Sequence, residues 1–278
     1  MKNWQGAGMR GASRLAFAEA RDRLTAAVSD PGVATTIGDE LFAVVGLLDR
    51  EPALRRALAD SAAEQAARTG LVRDLFGRRV SPATLDVLTG LASARWSVPR
   101  DIADAAEELA VLATAASAGS ADELDDVEDE LFRFGRIASG EPELIAALSS
   151  QRYADGQKRE LLNALLSGKV APAALRLITQ AAVNPRGRNL EANLADYARL
   201  VADWRQRLIA VVRVATALSD RQRERLTAAL SAIYGRGIQL NVVIDPQVVG
   251  GVSIQIGDDL IDGTLSSRLA ALRRHWAA

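Results

Sequence analysis

The chain has 278 residues, 49% hydrophobic and 25% charged, a composition that buries a sizeable core and leaves room for two domains of ordinary size. A formal net charge of -1 gives no global attraction to nucleic acid, and the lack of cysteine removes disulfides, thiol nucleophiles and thiolate metal sites together. Aromatic residues are only 4% while Ala and Leu abound, which points to a mainly α protein packed with small interdigitating side chains. The longest near-continuous apolar run, Leu41 to Leu48, is far short of the roughly 20 residues a membrane span needs, and MKNWQGAGMRG has no apolar signal-peptide segment. The expected location is the cytoplasm, with no direct membrane span.

Residues 1–11 read as a disordered tail, with Met9 as an alternative start. Helical spacing begins with Leu15, Ala16, Ala20 and Leu24, Ser13 is the expected N-cap, and Asp30-Pro31-Gly32 is expected to stop this helix. A second apolar stripe runs through Ile37, Leu41, Val44, Val45 and Leu48, then Pro52 opens a short helix with Leu54 and Leu58. Further helices are expected from about Ser61 to Phe76 and, behind Ser81 as N-cap and Pro82 at the first position, to Ala94.

Residues 39–98 lie without gaps on 129–188, and 17 of the 60 aligned positions are identical. Asp39-Glu40-Leu41-Phe42 meets Asp129-Glu130-Leu131-Phe132, Glu51-Pro52 meets Glu141-Pro142, and the remaining matches are mostly apolar positions at helical spacing. A duplicated helical bundle would keep such positions, and a period near 90 is too long for an ordinary solenoid. The expected organisation is bundle copy 1 over 12–98, a linking Ala-rich helix over 99–120, bundle copy 2 over 121–206 and an α+β domain over 207–278. The acidic run Asp122 to Glu130 keeps Leu124, Val127 and Leu131 at helical spacing, so it reads as the solvated face of a helix and lacks the spaced oxygens and glycine of a calcium loop.

Asn184-Pro185-Arg186-Gly187 is a strong turn signal, followed by a helix through Leu190, Leu194, Tyr197, Val201 and Trp204. Residues 208–215 are β-branched and read as a strand, Ser219 caps an Arg-rich helix to Tyr234, and Gly235 and Gly237 end it. Two strands with alternating apolar residues, around Leu240 to Ile244 and Val252 to Ile256, are expected to pair as a hairpin across Asp245-Pro246 and Gly250-Gly251. Leu260-Ile261 and a helix capped by Thr264 close the chain.

No catalytic constellation emerges. Gly6-Ala7-Gly8-Met9-Arg10-Gly11 has the letters of a dinucleotide turn, but no strand precedes it to aim the loop. His275, the only histidine, stands three residues from the terminus, and no spaced nucleophile and base are present. No catalytic residue, metal ligand or cofactor is expected. Between Arg186 and Arg236 ten arginines face five acids, an excess that would suit an acidic protein, a solvated face or RNA, although little aromatic interleaving is present for base stacking.

Residues Ile209 to Asp220, with Leu218-Ser219, then Asp245 with Gly250-Gly251, Gly257-Asp258, and Asp262-Gly263-Thr264 with Arg268-Leu269, together resemble the δ subunit family of bacterial F-type ATP synthase, the OSCP family. The resemblance covers nearly the whole chain. It implies a structural role for Leu218, Ser219, Asp245, Gly250, Gly251, Gly257, Asp262, Gly263, Thr264, Arg268 and Leu269, with glycines permitting backbone that side chains would block. Family members usually carry one helical bundle, so this chain resembles a long form with most of two. The usual Arg-Tyr-Ala near the N-terminus is represented only by Ser13-Arg14-Leu15-Ala16.

The resemblance further implies a non-catalytic stator or peripheral-stalk subunit on the cytoplasmic face of the cell membrane, within a hetero-oligomeric complex. Its bundle would grip N-terminal segments of the α subunits and its C-terminal domain the b subunit, with grooves lined by repeated positions such as Leu41, Leu85, Leu131 and Leu175, most of which are expected to be core as well. The alternative is a helical adaptor or RNA-associated protein that uses the Arg-rich C-terminal third.

Overall fold

The computed structural model describes residues 9–28, 30–150, 152–234, 238–245, 248, 251–256 and 259–262. Two compact units result: a helical one of Met1–Gly119 with Glu123–Ala202, and a second of Ser120–Asp122 with Asp203–Ala278. This is a mainly α fold with a small α+β part.

In the helical unit, α1 (Ala12–Ala27) buries Ala16, Phe17, Ala20 and Leu24. Within the expected tail, Met9 is buried and the Arg10 carbonyl accepts from the Ser97 hydroxyl at 2.8 Å. Ser13 is not the N-cap, a position that falls to Gly11. Fully buried within α1, Ser13 donates to Asp101 and accepts from the Ser97 backbone N–H at 2.7 Å, so its hydroxyl joins distant segments instead of its own helix end.

Asp30-Pro31-Gly32, expected as a stop, opens α2 (Pro31–Arg50). Asp30 is its N-cap and accepts from the N–H groups of Gly32 and Val33, with Pro31 at a position whose missing N–H costs nothing. By length and apolarity α2 could cross a membrane, but Ile37, Leu41, Val45 and Leu48 lie in the protein core. Then come α3 (Pro52–Ala59), α4 (Gln65–Phe76) and α5 (Pro82–Ser93). The expected start at Ser61 is four residues early, because 60–64 form turns after the Asp60 side chain accepts from the Ala62 N–H. Ser81 caps α5 as expected, accepting from Thr84 N at 3.3 Å.

The Ala-rich segment over 99–120 is α6 (Arg100–Ala116), and Ala, Leu, Val and Ile residues on nearly every side of it are buried. It is a central helix of its unit: α2 packs along it, and α1, α3, α5 and α10 (Pro172–Val183) also touch it. Its small side chains permit that crowding. A Cβ on Gly38 of α2 would stand 2.6 Å from Thr114 Oγ1 and 3.2 Å from the Thr114 backbone nitrogen, so the two helices cross at a glycine.

Beyond α6 come α7 (Ala121–Gly140), α8 (Pro142–Ser149), α9 (Asp155–Leu166), α10 and α11 (Leu190–Leu208). The ends of α7 to α10 repeat those of α2 to α5 at an offset of 90 residues, and α11 begins 90 residues after α6. One side-chain contact repeats too. Glu40 accepts from the Ser81 backbone N–H at 2.9 Å, and Glu130 accepts from the Ala171 backbone N–H at 2.8 Å. Leu124, Val127 and Leu131 are fully buried on α7, beneath its acidic outer face.

The second unit carries a four-stranded sheet in the order β2-β1-β3-β4, with β1 (Ile209–Val214), β2 (Gln239–Ile244), β3 (Val252–Ile256) and β4 (Asp259–Asp262). The expected hairpin between β2 and β3 does not form. β1 lies between them, parallel to β2 and antiparallel to β3. A parallel pair needs a crossover, which α12 (Asp220–Tyr234) supplies between β1 and β2. The antiparallel neighbour of β3 on its other side is β4. Ala210, Val212 and Val214 of β1 are buried with Ile254 and Ile256 of β3, and Leu230 of α12 joins them.

Candidate functional site

The most highly organised polar site lies in the helical unit, where the α10–α11 turn meets α2 and α6. The sequence Asn184-Pro185-Arg186-Gly187 places two consecutive residues at positive φ, Arg186 at 51° and Gly187 at 80°. For arginine this left-handed backbone is uncommon and persists only where surroundings hold it. They do: the Arg186 side chain, 4% exposed, meets Asp49 of α2 at 2.7 Å and Asp104 and Glu107 of α6 at 2.8 and 2.6 Å. Burial works against the charged guanidinium, but its hydrogen bond to Asp49 and the charges of Glu107, Asp104 and Asp49 shift its pKa upward.

Glu107 is the acceptor at the centre. Its carboxylate takes Arg186, Arg188 and the Tyr197 hydroxyl of α11, the last at 2.8 Å. Burial, reinforced by the Glu107 charge, pushes the Tyr197 phenol well above its usual range, so it stays a donor. Glu108 is different. Its Oε2 is buried without a hydrogen-bond partner, and burial, with repulsion from Asp104 and Glu107, raises its pKa to about 8. Asp104 is also shifted upward, chiefly by burial, against the pull of Arg186 and Arg100. The Arg186 and Arg188 side chains are bound to carboxylates here, so this cluster ties the α10–α11 turn to α2 and α6.

Beside it, a cleft of about 820 Å³ separates α2 from α9 and α10. The Asp39–Arg176 ion pair crosses it at 3.5 Å. Of the four leucines expected in grooves, Leu41 and Leu131 are wholly core, while Leu85 and Leu175 are half-buried and Leu175 lines this cleft.

The motif residues lie around the sheet. Leu218 packs against the sheet core. Ser219 accepts from the Gln222 backbone N–H at 3.4 Å while its own N–H donates to the Gln222 side chain at 2.9 Å, a reciprocal box at the start of α12. Asp245 follows β2: its N–H donates to the Val214 carbonyl, and its carbonyl accepts from Val248. Gly251 has φ of 88°, a conformation open to glycine and strained for other residues. Asp262 ends β4 opposite Ser253. Gly250, Gly257, Gly263, Thr264, Arg268, Leu269 and His275 lie outside the described residues, as do Gly6 to Gly8. Among the described residues, no group of three or more His, Cys, Asp or Glu side chains is arranged to hold a metal ion.

The buried cluster was not anticipated from sequence. Its signal was present in Asp104, Glu107 and Glu108, acidic residues set among the Ala, Leu, Val and Ile of α6, where a buried charge calls for a partner. Arg186 and Arg188 belong to the arginine excess that would suit an acidic protein, a solvated face or RNA, yet both are bound to Glu107 within the chain.

The family model of the ATP synthase delta (OSCP) subunit matches residues 110–276. The chain is 51% identical to ATP synthase subunit delta of Thermobifida fusca over 97% of its own length and all of that protein. It is 46% identical to the same subunit of Streptomyces avermitilis over 96% of this chain and 98% of that one. For Acidothermus cellulolyticus the identity is 42%, over 97% and 100%. A chain of the Toxoplasma gondii mitochondrial ATP synthase hexamer is similar with a TM-score of 0.31 and 19% identity, covering 60% of this chain and 97% of that one. Fold and sequence thus define a mainly helical protein with a small sheet domain. The chain belongs to the ATP synthase delta (OSCP) subunit family.

Proposed function

We propose that this chain is the stator, or peripheral-stalk, subunit of a rotary proton-translocating ATP synthase, held peripherally at the cytoplasmic face of the membrane through the complex. The observation that carries this reading is 51% identity to a delta subunit over 97% of this chain and the whole of that protein. In this account the helical unit holds N-terminal segments of the α subunits, and the C-terminal unit holds the membrane-anchored b subunit. The role is mechanical: rotation of a central stalk exerts a reaction torque on the catalytic head, and a static link must oppose it for proton flow to drive ATP synthesis.

We further infer that the helical unit arose by internal duplication. The recurrence of helix ends at an offset of 90 and the paired Glu40 and Glu130 contacts support this. The copies then share α6, which stands last in the first set of six helices and first in the second. The sheet-domain residues Leu218, Ser219, Asp245, Gly251 and Asp262, with Gly250, Gly257, Gly263, Thr264, Arg268 and Leu269, serve as structural determinants of the domain that holds b. Purification of the tagged chain from its own membranes tests the assignment. Recovery of α and b subunits is expected, and recovery of the chain without either contradicts it.

A further inference from the structure

A cavity of about 220 Å³ lies inside the charged cluster, bordered by Glu108 and its neighbours on α6, by the α10–α11 turn and by α11. Glu108 brings to it a buried Oε2 with no hydrogen-bond partner among the described residues. Three acids face that carboxyl, Asp104 and Glu107 from its own helix and Asp196 from α11, against one cation, Arg188 from the turn. A buried carboxylate that ionises in such a setting needs a donor. The Tyr197 hydroxyl is taken by Glu107. Arg100 stands two turns earlier on α6, about 12 Å along the axis, and pairs with Asp104. Arg186 is only 4% exposed, and its fork is held by Asp49.

Arg188 differs from these donors. Its side chain is 32% exposed and has room to turn. Glu107, its main partner, also receives Arg186 and Tyr197, and Asp196, its second partner at 3.7 Å, also holds Arg199. Departure of Arg188 from Glu107 therefore leaves no carboxylate without a donor. Its backbone stands between two fixed points: Arg186 and Gly187 at positive φ just before it, and Asn189 just after, whose side chain accepts from the Ala192 N–H at 2.7 Å at the start of α11. A turn of this side chain is thus felt at the first turn of α11.

We propose that Glu108 and Arg188 form a proton-operated latch between α6 and the start of α11. With Glu108 protonated, Arg188 bridges Glu107 and Asp196 as in the structure. When Glu108 releases its proton to water, the Arg188 guanidinium swings to Oε2, leaves Glu107 to Arg186 and Tyr197, and draws the start of α11 along α6. Burial, reinforced by the charges of Asp104 and Glu107, places the change at about pH 8, so the two arrangements exchange close to neutrality.

Crystals of the full chain at about pH 6 and about pH 9.5, on the two sides of that change, read the latch directly and need no variant. Arg188 is expected within about 3.2 Å of Glu107 at the lower pH and of Glu108 Oε2 at the higher. Arg188 still on Glu107 at the higher pH overturns the proposal. An NMR titration in solution follows the Arg188 guanidinium nitrogen and the Glu108 carboxyl carbon together. Both signals are expected to move with one midpoint, and in Glu108→Gln the Arg188 signal is expected to stay at its low-pH position. An Arg188 signal that ignores the Glu108 titration, or that moves equally in Glu108→Gln, overturns the proposal. Arg188→Gln removes the cation and is expected to raise the proton affinity of Glu108 by about tenfold or more. An unchanged Glu108 midpoint in that variant overturns it as well.

Discussion

Arg186 grips Asp49 at two points, Nε to Oδ2 at 2.7 Å and Nη2 to Oδ1 at 3.1 Å, joining the α10–α11 turn to the end of α2 across 137 positions of sequence. The planar fork suits this geometry, and Asp104 and Glu107 take its remaining valence. Replacing Arg186 with Gln would leave three acids around a neutral amide, with Glu107 deeply buried. A loss of about 3–5 kcal/mol is expected, read as a lower denaturant midpoint for the helical unit. Arg186→Lys should recover only part of it, since a single ammonium cannot reproduce the fork. Wild-type stability in Arg186→Gln would show that the cluster is not holding the helices together.

Glu108 gives the helical unit a pH dependence. Its ordinary pKa of 4.5 rises to about 8 in the folded protein, with burial the leading cause. The folded state therefore binds the proton more tightly than the unfolded state does. The contribution is fully present below 4.5, declines as pH rises, and is gone above about 8. Glu108→Gln keeps the neutral shape and removes the titration. Urea unfolding at about pH 5 and about pH 8.5 should show the wild type losing stability relative to Glu108→Gln on moving to the higher pH. Equal changes in both proteins would contradict this.

Glu40 and Glu130 make the same contact in the two helical sets, but Glu40 accepts from both the backbone N–H and the hydroxyl of Ser81, whereas Ala171 offers only its N–H. Each Glu→Ala change should cost about 1–3 kcal/mol, the range for hydrogen bonds to charged groups. The cost should be larger at Glu40, and the double variant should be close to additive because the sites share no partner. A larger cost at Glu130 in unfolding experiments would reverse this ordering.

At Gly38, α2 and α6 approach too closely to admit a side chain without a shift of Thr114. Gly38→Ala should destabilise by about 1–3 kcal/mol through overpacking, since the new methyl would meet Thr114 Oγ1 and its backbone nitrogen. Adding Thr114→Ala removes the hydroxyl but not the backbone, so rescue should be partial. Full rescue, or no effect of Gly38→Ala alone, would mean that the helices separate more readily than their packing implies.

The sequence carried the helices well because their signals are local. Proline at the first helical position, apolar spacing and the recurrence of Glu-Pro at 51–52 and 141–142 locate α3 and α8 with little help from the rest of the chain. Asp30-Pro31-Gly32 shows the limit: the same residues that end one helix can cap the next, and only the hydrogen bonds of Asp30 to Gly32 and Val33 decide. Strand alternation around Val242 and Ile254 identified both strands but not their partners, because pairing depends on where β1 inserts, which is a long-range choice. The charged cluster was least legible. Arg186 and Glu107 are 79 positions apart, and nothing local distinguishes a buried arginine from a solvated one.

The central claim, that the chain is the static link of a rotary ATP synthase, is tested most directly in inverted membrane vesicles stripped of it. ATP hydrolysis by the bound head should persist while ATP-driven proton uptake falls away, and adding the purified chain back should restore uptake. Undiminished proton uptake in stripped vesicles, or uptake that the added chain leaves unrestored, would contradict the account.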